Sequence, residues 1–179
     1  MPALTPQFLA GLKTPTLEVT LERTGTVAIL SLYSDRLDPE LGELRTWRSA
    51  DGSQLVFREG VLIATRGLGN DIGSTQATSM IKLLTLRTPS AGLHQIYVVT
   101  GENGTERVDL ACDMTVVGPE TLEIVQRLIK TLRLRAECAA GSNAVTYNFW
   151  VDPEDSTVWQ SRQWAGPSLG YMKTRLLKK

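Results

Sequence analysis

Apolar and polar residues alternate with a period of two along much of the chain. In residues 17–23 every second residue is apolar. Successive side chains of a β-strand point to opposite faces of its sheet, so this pattern places one face on a core and the other in water. Further strands are predicted over residues 26–33, 44–50, 54–58, 61–66, 94–100, 106–117, 143–151 and 158–164.

Turn residues separate these runs. Asp51-Gly52 lies between two of them and predicts a hairpin with a type I′ turn, which needs positive φ at both central residues. The segment 101–104, Gly-Glu-Asn-Gly, predicts a second hairpin, and residues 153–155 predict a turn. Gly67 and Gly69 follow a predicted strand and precede Asn70-Asp71, so we expect positive φ at one of them.

Two segments favour helices, and a third is ambiguous. Residues 5–12 have Thr5 as a cap and Pro6 at the first helical position, and residues 79–84 are a second candidate. Residues 121–130 carry apolar positions at helical spacing, whereas residues 132–138 alternate strictly. We interpret 133–138 as a strand and favour a strand before it, with the helical alternative left open.

The elements together predict a mainly β protein. Many short strands joined by Gly and Asp turns indicate an antiparallel meander that forms a strongly curved sheet, a sandwich or a half-open barrel, with one or two short helices. The sequence has no linker, fixed repeat or low-complexity tract. We therefore expect residues 1–179 to form a single domain, with an N-terminal segment over 1–14 and a β domain over 15–177.

Charge and hydropathy exclude some functions. The chain has 19 basic and 19 acidic residues, so it has no net attraction for nucleic acid, and no nucleic-acid partner is expected. No apolar run reaches the roughly 18 residues of a membrane span, and the chain does not open with the basic and then apolar segments of a secretory signal. The missing signal fits either a cytosolic protein or an exported chain whose signal has been removed.

Catalytic and metal-binding patterns are weak. His94 is the only histidine and lies in an alternating run, which is more typical of a structural residue than of a catalytic base. Asp109 and Asp113 share a strand face at roughly 13 Å, farther apart than glycosidase carboxylates.

Two cysteines and one histidine cannot complete a four-ligand zinc site. We expect no metal and no cofactor, and spacing alone leaves Cys112 and Cys138 as two thiols or one disulfide.

Aromatic residues concentrate in residues 147–164. Alternation places Trp150 on the opposite face from Tyr147 and Phe149, so both faces of that strand carry rings. A core on both sides is the simpler explanation, and a sugar-stacking platform is the functional one.

In residues 158–164, alternation puts Val158, Gln160, Arg162 and Trp164 on one face, and we expect Arg162 to pair with Asp152 or Asp155. The candidate glycan or partner contacts are Trp47, Trp159, Arg162 and Trp164.

Two long segments resemble a known family. They are RTWRSADGSQLVFREGVLIATRGLGNDI over residues 45–72 and AVTYNFWVDPEDSTVWQSRQWAGPSL over residues 144–169. The spacing of NFWVD, WQSRQW and GP is specific, and it is similar to the YjbF/GfcB lipoproteins of group-four capsule and related exopolysaccharide systems. The resemblance spans most of residues 17–176.

The resemblance implies an exported, lipid-anchored protein on the periplasmic side of the outer membrane. Acylation of an N-terminal cysteine is expected, and Met1 stands where that cysteine would be. An oxidising periplasm makes Cys112 and Cys138 expected disulfide partners. The implied function is a non-enzymatic binding or scaffold role in exopolysaccharide or capsule secretion, with other secretion proteins and polysaccharide as partners. The alternatives are a lipid or lipoprotein carrier with a cavity in a curved sheet, and an envelope glycosidase.

Overall fold

Twelve strands and two short helices make up the computed structural model, which describes residues 3–179. Met1, the position expected for the acylated cysteine, lies outside the described residues. Helix α1 spans Pro6–Gly11 and helix α2 spans Thr78–Leu86. The strands are β1 Thr16–Leu21, β2 Thr26–Asp38, β3 Gly42–Arg48, β4 Gln54–Arg58, β5 Val61–Arg66, β6 Ile72–Gln76, β7 Ser90–Val99, β8 Thr105–Ile124, β9 Arg127–Ala140, β10 Asn143–Val151, β11 Val158–Trp164 and β12 Tyr171–Lys178.

All twelve strands form one antiparallel sheet that nearly closes into a barrel. Their order is β5-β4-β3-β2-β1-β12-β11-β10-β9-β8-β7-β6, so the first and last strands pair and the two sheet edges are β5 and β6. Side chains link these edges, because Ile72 N donates to Thr65 Oγ1 at 2.9 Å and Arg66 donates to the Ile72 carbonyl at 3.0 Å. The predicted curved, half-open meander is confirmed.

The two faces of the sheet bury different clusters. The concave face and α2 enclose the main core, whose largest buried side chains include Tyr147, Phe149 and Leu134. The outer face carries a smaller cluster of Leu122, Ile124, Trp150 and Leu177. Phe8 of α1 and Leu12, which follows α1, pack on this cluster. Trp150 therefore lies on the opposite face from Tyr147 and Phe149, as alternation predicted.

Both predicted helices are present. Thr5 caps α1, because its hydroxyl oxygen accepts a hydrogen bond from Phe8 N at 3.1 Å, and Pro6 is the first helical residue. Helix α2 is slightly longer than predicted and buries Met80, Leu83 and Leu84 in the main core. The helix ends at its C-cap residue Arg87, which adopts the left-handed conformation.

The turns confirm one backbone prediction and correct another. Gly67 and Gly69 have φ of 81° and 100°, and the Asp71 carboxylate accepts hydrogen bonds from the amides of Gly67 and Leu68. The type I′ turn predicted at Asp51-Gly52 is wrong, because only Gly52 has positive φ. That hairpin closes as a longer loop in which the Asp51 carboxylate accepts from Ser53 N, an alternative that short acidic side chains offer the backbone.

The ambiguous segment is a hairpin. Strand β8 continues to Ile124 and β9 begins at Arg127, so residues 121–130 are extended and the favoured strand interpretation is confirmed. Val125 and Gln126, both with positive φ, form the two-residue turn. The apparent helical stripe arises because Leu122 and Ile124 fill the outer cluster while Val125 and Ile129 pack around it.

Cys112 and Cys138 form a disulfide with an S–S distance of 2.04 Å. The two residues are directly paired in the β8–β9 ladder and both lie in the main core. The pairing that the family resemblance implied is therefore confirmed. On the chain-entropy model, a loop of this length stabilises the fold by roughly 3 kcal/mol.

The sheet has two distinct ends. We call the end that carries α1 and α2 the α1 end, and it also carries the turns after β2, β4, β8 and β10. The opposite end, called the far end, carries the turns after β1, β3, β5, β7, β9 and β11. Strand β1 starts at the α1 end, where Thr16 pairs with Lys178 near the C-terminus of the chain.

Candidate functional site

A cavity of about 170 Å³ opens at the α1 end, between two walls of the curved sheet. One wall comes from β3, β4 and the turn after β4, and the other from β12 and the loop that joins β10 to β11. Leu17, Phe57 and Leu176 line its inner part, and charged side chains line its mouth. The main core therefore ends in a polar recess on the concave side.

Strand β3 supplies one wall through alternate residues. Glu43, Arg45 and Trp47 share the concave face because they are two positions apart, and all three line the cavity. Arg45 bonds Glu43 at 2.8 Å and Asp35 of β2 at 3.3 Å. Trp47 is buried deeper, beside Phe57. The wall thus changes from an indole at its base to an ion pair at its mouth.

The turn after β4 holds a second carboxylate at the mouth. Glu59 and Gly60, with φ of 47° and 81°, make a two-residue turn of the I′ kind. Glu59 N donates to the Glu43 carbonyl at 2.9 Å, and Glu43 N donates back to Glu59 Oε1. Burial raises the pKa of Glu43, an effect that neighbouring Arg45 opposes. A Cβ at position 60 would overlap Val158 of the facing wall, so glycine permits the close approach of the two walls.

The β10–β11 loop forms the facing wall. Asp155 accepts a hydrogen bond from Lys179 Nζ at 2.7 Å and another from Thr157 N at 3.0 Å. The hydrogen bond from Lys179, followed by those from Thr157, lowers the pKa of Asp155 to about 2. Arg87, at the end of α2, donates to the carbonyls of Asp152 and Pro153 and so holds the loop in place.

The structure separates the four candidate contact residues. Trp47 lines the cavity. Trp159 does not line the cavity but packs against the outer cluster, where its indole Nε1 donates to Asp152 Oδ2 at 3.1 Å and Lys179 Nζ lies 4.9 Å from its ring centroid. Trp164 lies towards the far end and packs against the main core. The four residues do not form one platform.

Arg162 is on the outer face, and its predicted partner was wrong. Its guanidinium bonds both oxygens of Glu22, the residue that follows β1, at 2.8 and 2.7 Å, and stacks on Tyr171 with its carbon 3.5 Å from the ring centroid. Asp152 and Asp155 are instead engaged by Trp159 and Lys179. The reason is sheet order: β12 lies between β1 and β11, and outward side chains of these strands meet across it.

The alternation predicted for residues 158–164 fails at its first position. The β10–β11 register shifts between Trp150 and Val151, which pair with Gln160 and Val158. This bulge leaves Trp159 unpaired and turns Val158 towards the cavity, whereas Gln160 and Arg162 face outward. A β-bulge changes which face later residues occupy, and period-two reasoning does not detect it.

His94 and the aspartate pair lie away from the cavity. His94 is buried in the main core, edge-on to the Tyr147 ring with 5.2 Å between centroids, and burial lowers its pKa to about 4. Asp109 bonds Gln95 and Arg107 on the surface. Among residues 3–179, no group of three His, Cys, Asp or Glu side chains is placed to hold a metal ion.

Comparison with known families identifies the chain. The family model of the group 4 capsule polysaccharide lipoprotein GfcB, YjbF, matches residues 1–177. The chain belongs to this family. The chain matches none of the curated proteins at a significant level. Within the described part of this YjbF-family chain, neither helix is long and apolar enough to cross a bilayer.

Solved structures that are similar to this chain include three bacterial proteins. The hypothetical lipoprotein YmcC from Escherichia coli K12 superposes with a TM-score of 0.81 at 23% identity, covering 97% of this chain and 88% of that chain. A Bacteroides fragilis protein described as exported and YmcC-like gives a TM-score of 0.41 at 12% identity, covering 92% and 94%. A Parabacteroides distasonis lipoprotein gives 0.43 at 9% identity, covering 93% and 95%.

Sequence reasoning missed most of the cavity of this YjbF-family protein. Glu43, Arg45, Glu59 and Asp155 line it, but none was a candidate contact residue. A signal was present: Glu43, Arg45 and Trp47 are two apart, so charges shared a face with a tryptophan. Alternation alone could not show that this face lines a recess rather than bulk water.

Proposed function

We propose that this protein is a non-enzymatic, periplasm-facing outer-membrane lipoprotein that supports exopolysaccharide or capsule secretion by binding glycan in the cavity beside Trp47. Residues 15–177 act as one domain, and residues 1–14 lead to the lipid anchor. Capsule and exopolysaccharide secretion proteins are its partners. Family membership supports the capsule association, and the buried Cys112–Cys138 disulfide supports an oxidising compartment.

The observation that carries the proposal is the composition of the cavity. An indole lies at its base, and planar charged groups of Glu43, Arg45 and Glu59 lie at its mouth, opposite Asp155. Sugar rings stack on aromatic faces, while carboxylates and guanidinium groups satisfy hydroxyls. A recess of about 170 Å³ suits one or two sugar units better than a larger cofactor.

The same cavity argues against a carrier of acyl chains. The interior of the sheet is filled by the main core, including Tyr147, Phe149 and the side chains of α2. The remaining space is lined at its mouth by ionisable groups, whose burial against a hydrocarbon chain would cost free energy.

An envelope glycosidase is the second candidate, and one observation favours it. Glu43 and Asp155 line the same cavity, and their environments shift their pKa values in opposite directions. Such divergence is typical of acid and base pairs. Against this, Glu59 and Asp155 are held by backbone amides and Lys179, as carboxylates with structural roles are. Binding is therefore the function we propose.

Glycan binding can be tested by titrating the protein with oligosaccharides released from the exopolysaccharide of the producing bacterium. We expect Glu59→Gln and Trp47→Phe to weaken binding at least tenfold, since each removes a group that lines the cavity. Gln160→Leu on the outer face is the matched control and should bind normally. Thermal melts would exclude misfolding, and capsule output in cells would provide the second readout.

Two results would contradict the proposal. Folded cavity variants with unchanged binding and normal capsule output would show that the cavity is not the glycan site. Shortening of the oligosaccharides by the wild-type protein, abolished by Glu43→Gln, would establish the glycosidase instead.

A further inference from the structure

The exposed leucines of the described chain are distributed unevenly between the two ends of the sheet. The four most exposed are Leu37 at 80%, Leu128 at 75%, Leu86 at 67% and Leu41 at 57%. All four lie at the α1 end: two on the β2–β3 hairpin, one beside the β8–β9 turn and one in the last turn of α2. At the far end the large exposed apolar residues are Val27 and Val99, at 36% and 39%.

Two of these sites project beyond the neighbouring strands. Strand β2 pairs with β1 only as far as Ser31, but its ladder with β3 continues to Asp38. Strand β9 pairs with β10 only from Leu132, but its ladder with β8 continues to Arg127. Each hairpin tip therefore extends several residues past the sheet and carries its leucines there. Tyr33, 61% exposed, lies on the projecting part of β2.

The N-terminal segment lies at this same end. Phe8 and Leu12 pack on the outer cluster beside the β8–β9 turn, and the Leu12 carbonyl accepts a hydrogen bond from Lys178. Helix α1 has six residues, about 9 Å of helix. A lipid group attached on the N-terminal side of α1 therefore joins the protein at the end that carries the leucines.

We propose that the α1 end rests on the membrane, with Leu37, Leu41, Leu86 and Leu128 inserted at the boundary between headgroups and acyl chains. The proposal rests on the lipid-anchored part of the proposed function but does not depend on glycan binding. Exposed apolar side chains grouped at one end mark an interaction surface, and an acyl anchor joined at that end brings this surface to the lipid. The cavity beside Trp47 opens at the same end and thus lies close to the headgroup layer.

Vesicle partition of the full chain without its acyl group tests the docking surface. The probe is vesicles of phosphatidylethanolamine and phosphatidylglycerol, with the bound fraction measured by flotation. We expect the combined change Leu37→Ser, Leu41→Ser, Leu86→Ser and Leu128→Ser to lower the partition coefficient at least tenfold. These side chains are already in water, so the variant should melt like wild type. The matched control combines Val27→Ser and Val99→Ser at the far end with Leu93→Ser, a 50% exposed residue within β7, and it should change partition less than twofold.

Amide hydrogen exchange gives a second readout. With the protein held on vesicles by an N-terminal histidine tag and nickel-chelating lipid, residues 37–42 and 125–128 should exchange at least fivefold more slowly than in solution. The far-end turns at 100–104 should not change. Protection of the far end, or equal partition of wild type and the four-leucine variant, would overturn the proposal. So would conversion of a dimer to a monomer in that variant with unchanged partition, because the leucines would then form an interface between two copies.

Discussion

Gln163 and Arg162 are neighbours on β11, yet they lie on opposite faces of the sheet and are satisfied in different ways. Gln163 is buried on the concave face, where its side-chain oxygen accepts from Leu62 N and its nitrogen donates to the Gly60 carbonyl, both at 2.9 Å. Arg162 is partly exposed on the outer face, where it pairs with Glu22 and stacks on Tyr171.

The comparison shows how the concave face accommodates a buried amide side chain: Gln163 directs both ends of its amide to partners within the protein. Gln163 Nε2 also donates to Ser161, which shares a hydrogen bond with Thr174. This network joins β11 to the edge strand β5 across the interior, so it satisfies an edge amide that lacks a ladder partner. On the outer face water can replace a lost partner, so individual contacts there should matter less.

The largest expected loss of stability comes from a substitution on the concave face. Gln163→Leu leaves the buried Leu62 amide and the part-buried Gly60 carbonyl without their partners, at about 1–3 kcal/mol each. We expect the free energy of unfolding to fall by about 4 kcal/mol in urea denaturation. Gln160→Leu is the matched control, with the same residue change on the outer face, and should cost less than about 1 kcal/mol. Equal losses in both variants would remove the distinction between the faces.

A smaller loss of stability is expected when the pH is lowered, and it depends on His94, which is also on the concave side. Burial lowers its pKa to about 4 from 6.5, so the unfolded chain binds more protons between these values. The contribution of neutral His94 is complete above about pH 6.5 and is lost progressively as the pH falls to about 4. Wild type should lose about 2 kcal/mol between pH 7.5 and 5 relative to His94→Phe. Parallel stability curves for the two proteins would show that His94 is solvated.

The smallest expected loss of stability comes from a substitution on the outer face. Arg162→Ala should lower the melting temperature by about 2–4 °C, corresponding to about 1 kcal/mol, because the ion pair is partly exposed. A double-mutant cycle with Glu22→Gln isolates the pair. The hydrogen bond from Arg162 lowers the pKa of Glu22, so the coupling is present above about pH 4.5 and declines as the pH falls below it. A loss as large as that of Gln163→Leu would place Arg162 in the core.

Local patterns predicted most of the secondary structure correctly. Alternation and turn residues located ten of the twelve strands but not β6 or β12, and Thr5-Pro6 located the start of α1. The prediction was weakest at residues 121–130, because Val125 and Gln126 are poor residues for a turn that needs positive φ. Val125 is accepted there since its side chain packs into the outer cluster beside α1, a contact between segments more than a hundred residues apart in the chain.

The candidate site was only partly predictable. Trp47 was identified because tryptophan is a common sugar contact, and the structure places it in the cavity. Arg162 and Trp164 do not share this location, because Arg162 faces outward against Glu22 and Trp164 lies at the far end of β11. Glu43 and Glu59 approach each other through the pairing of β3 with β4, and only the curvature of the sheet brings Asp155 to the same cavity.

The sequence by itself determined the β class, the positions of most strands and both helices, and the family, because these depend on local periodicity, turn residues and motif spacing. Only the tertiary structure decided the order of the strands, the Glu22–Arg162 pair, the bulge at Trp159 and the polar mouth of the cavity. The physical reason is that these features arise from contacts between strands distant in sequence. Such contacts depend on sheet order and curvature, which the alternation of a single strand does not specify.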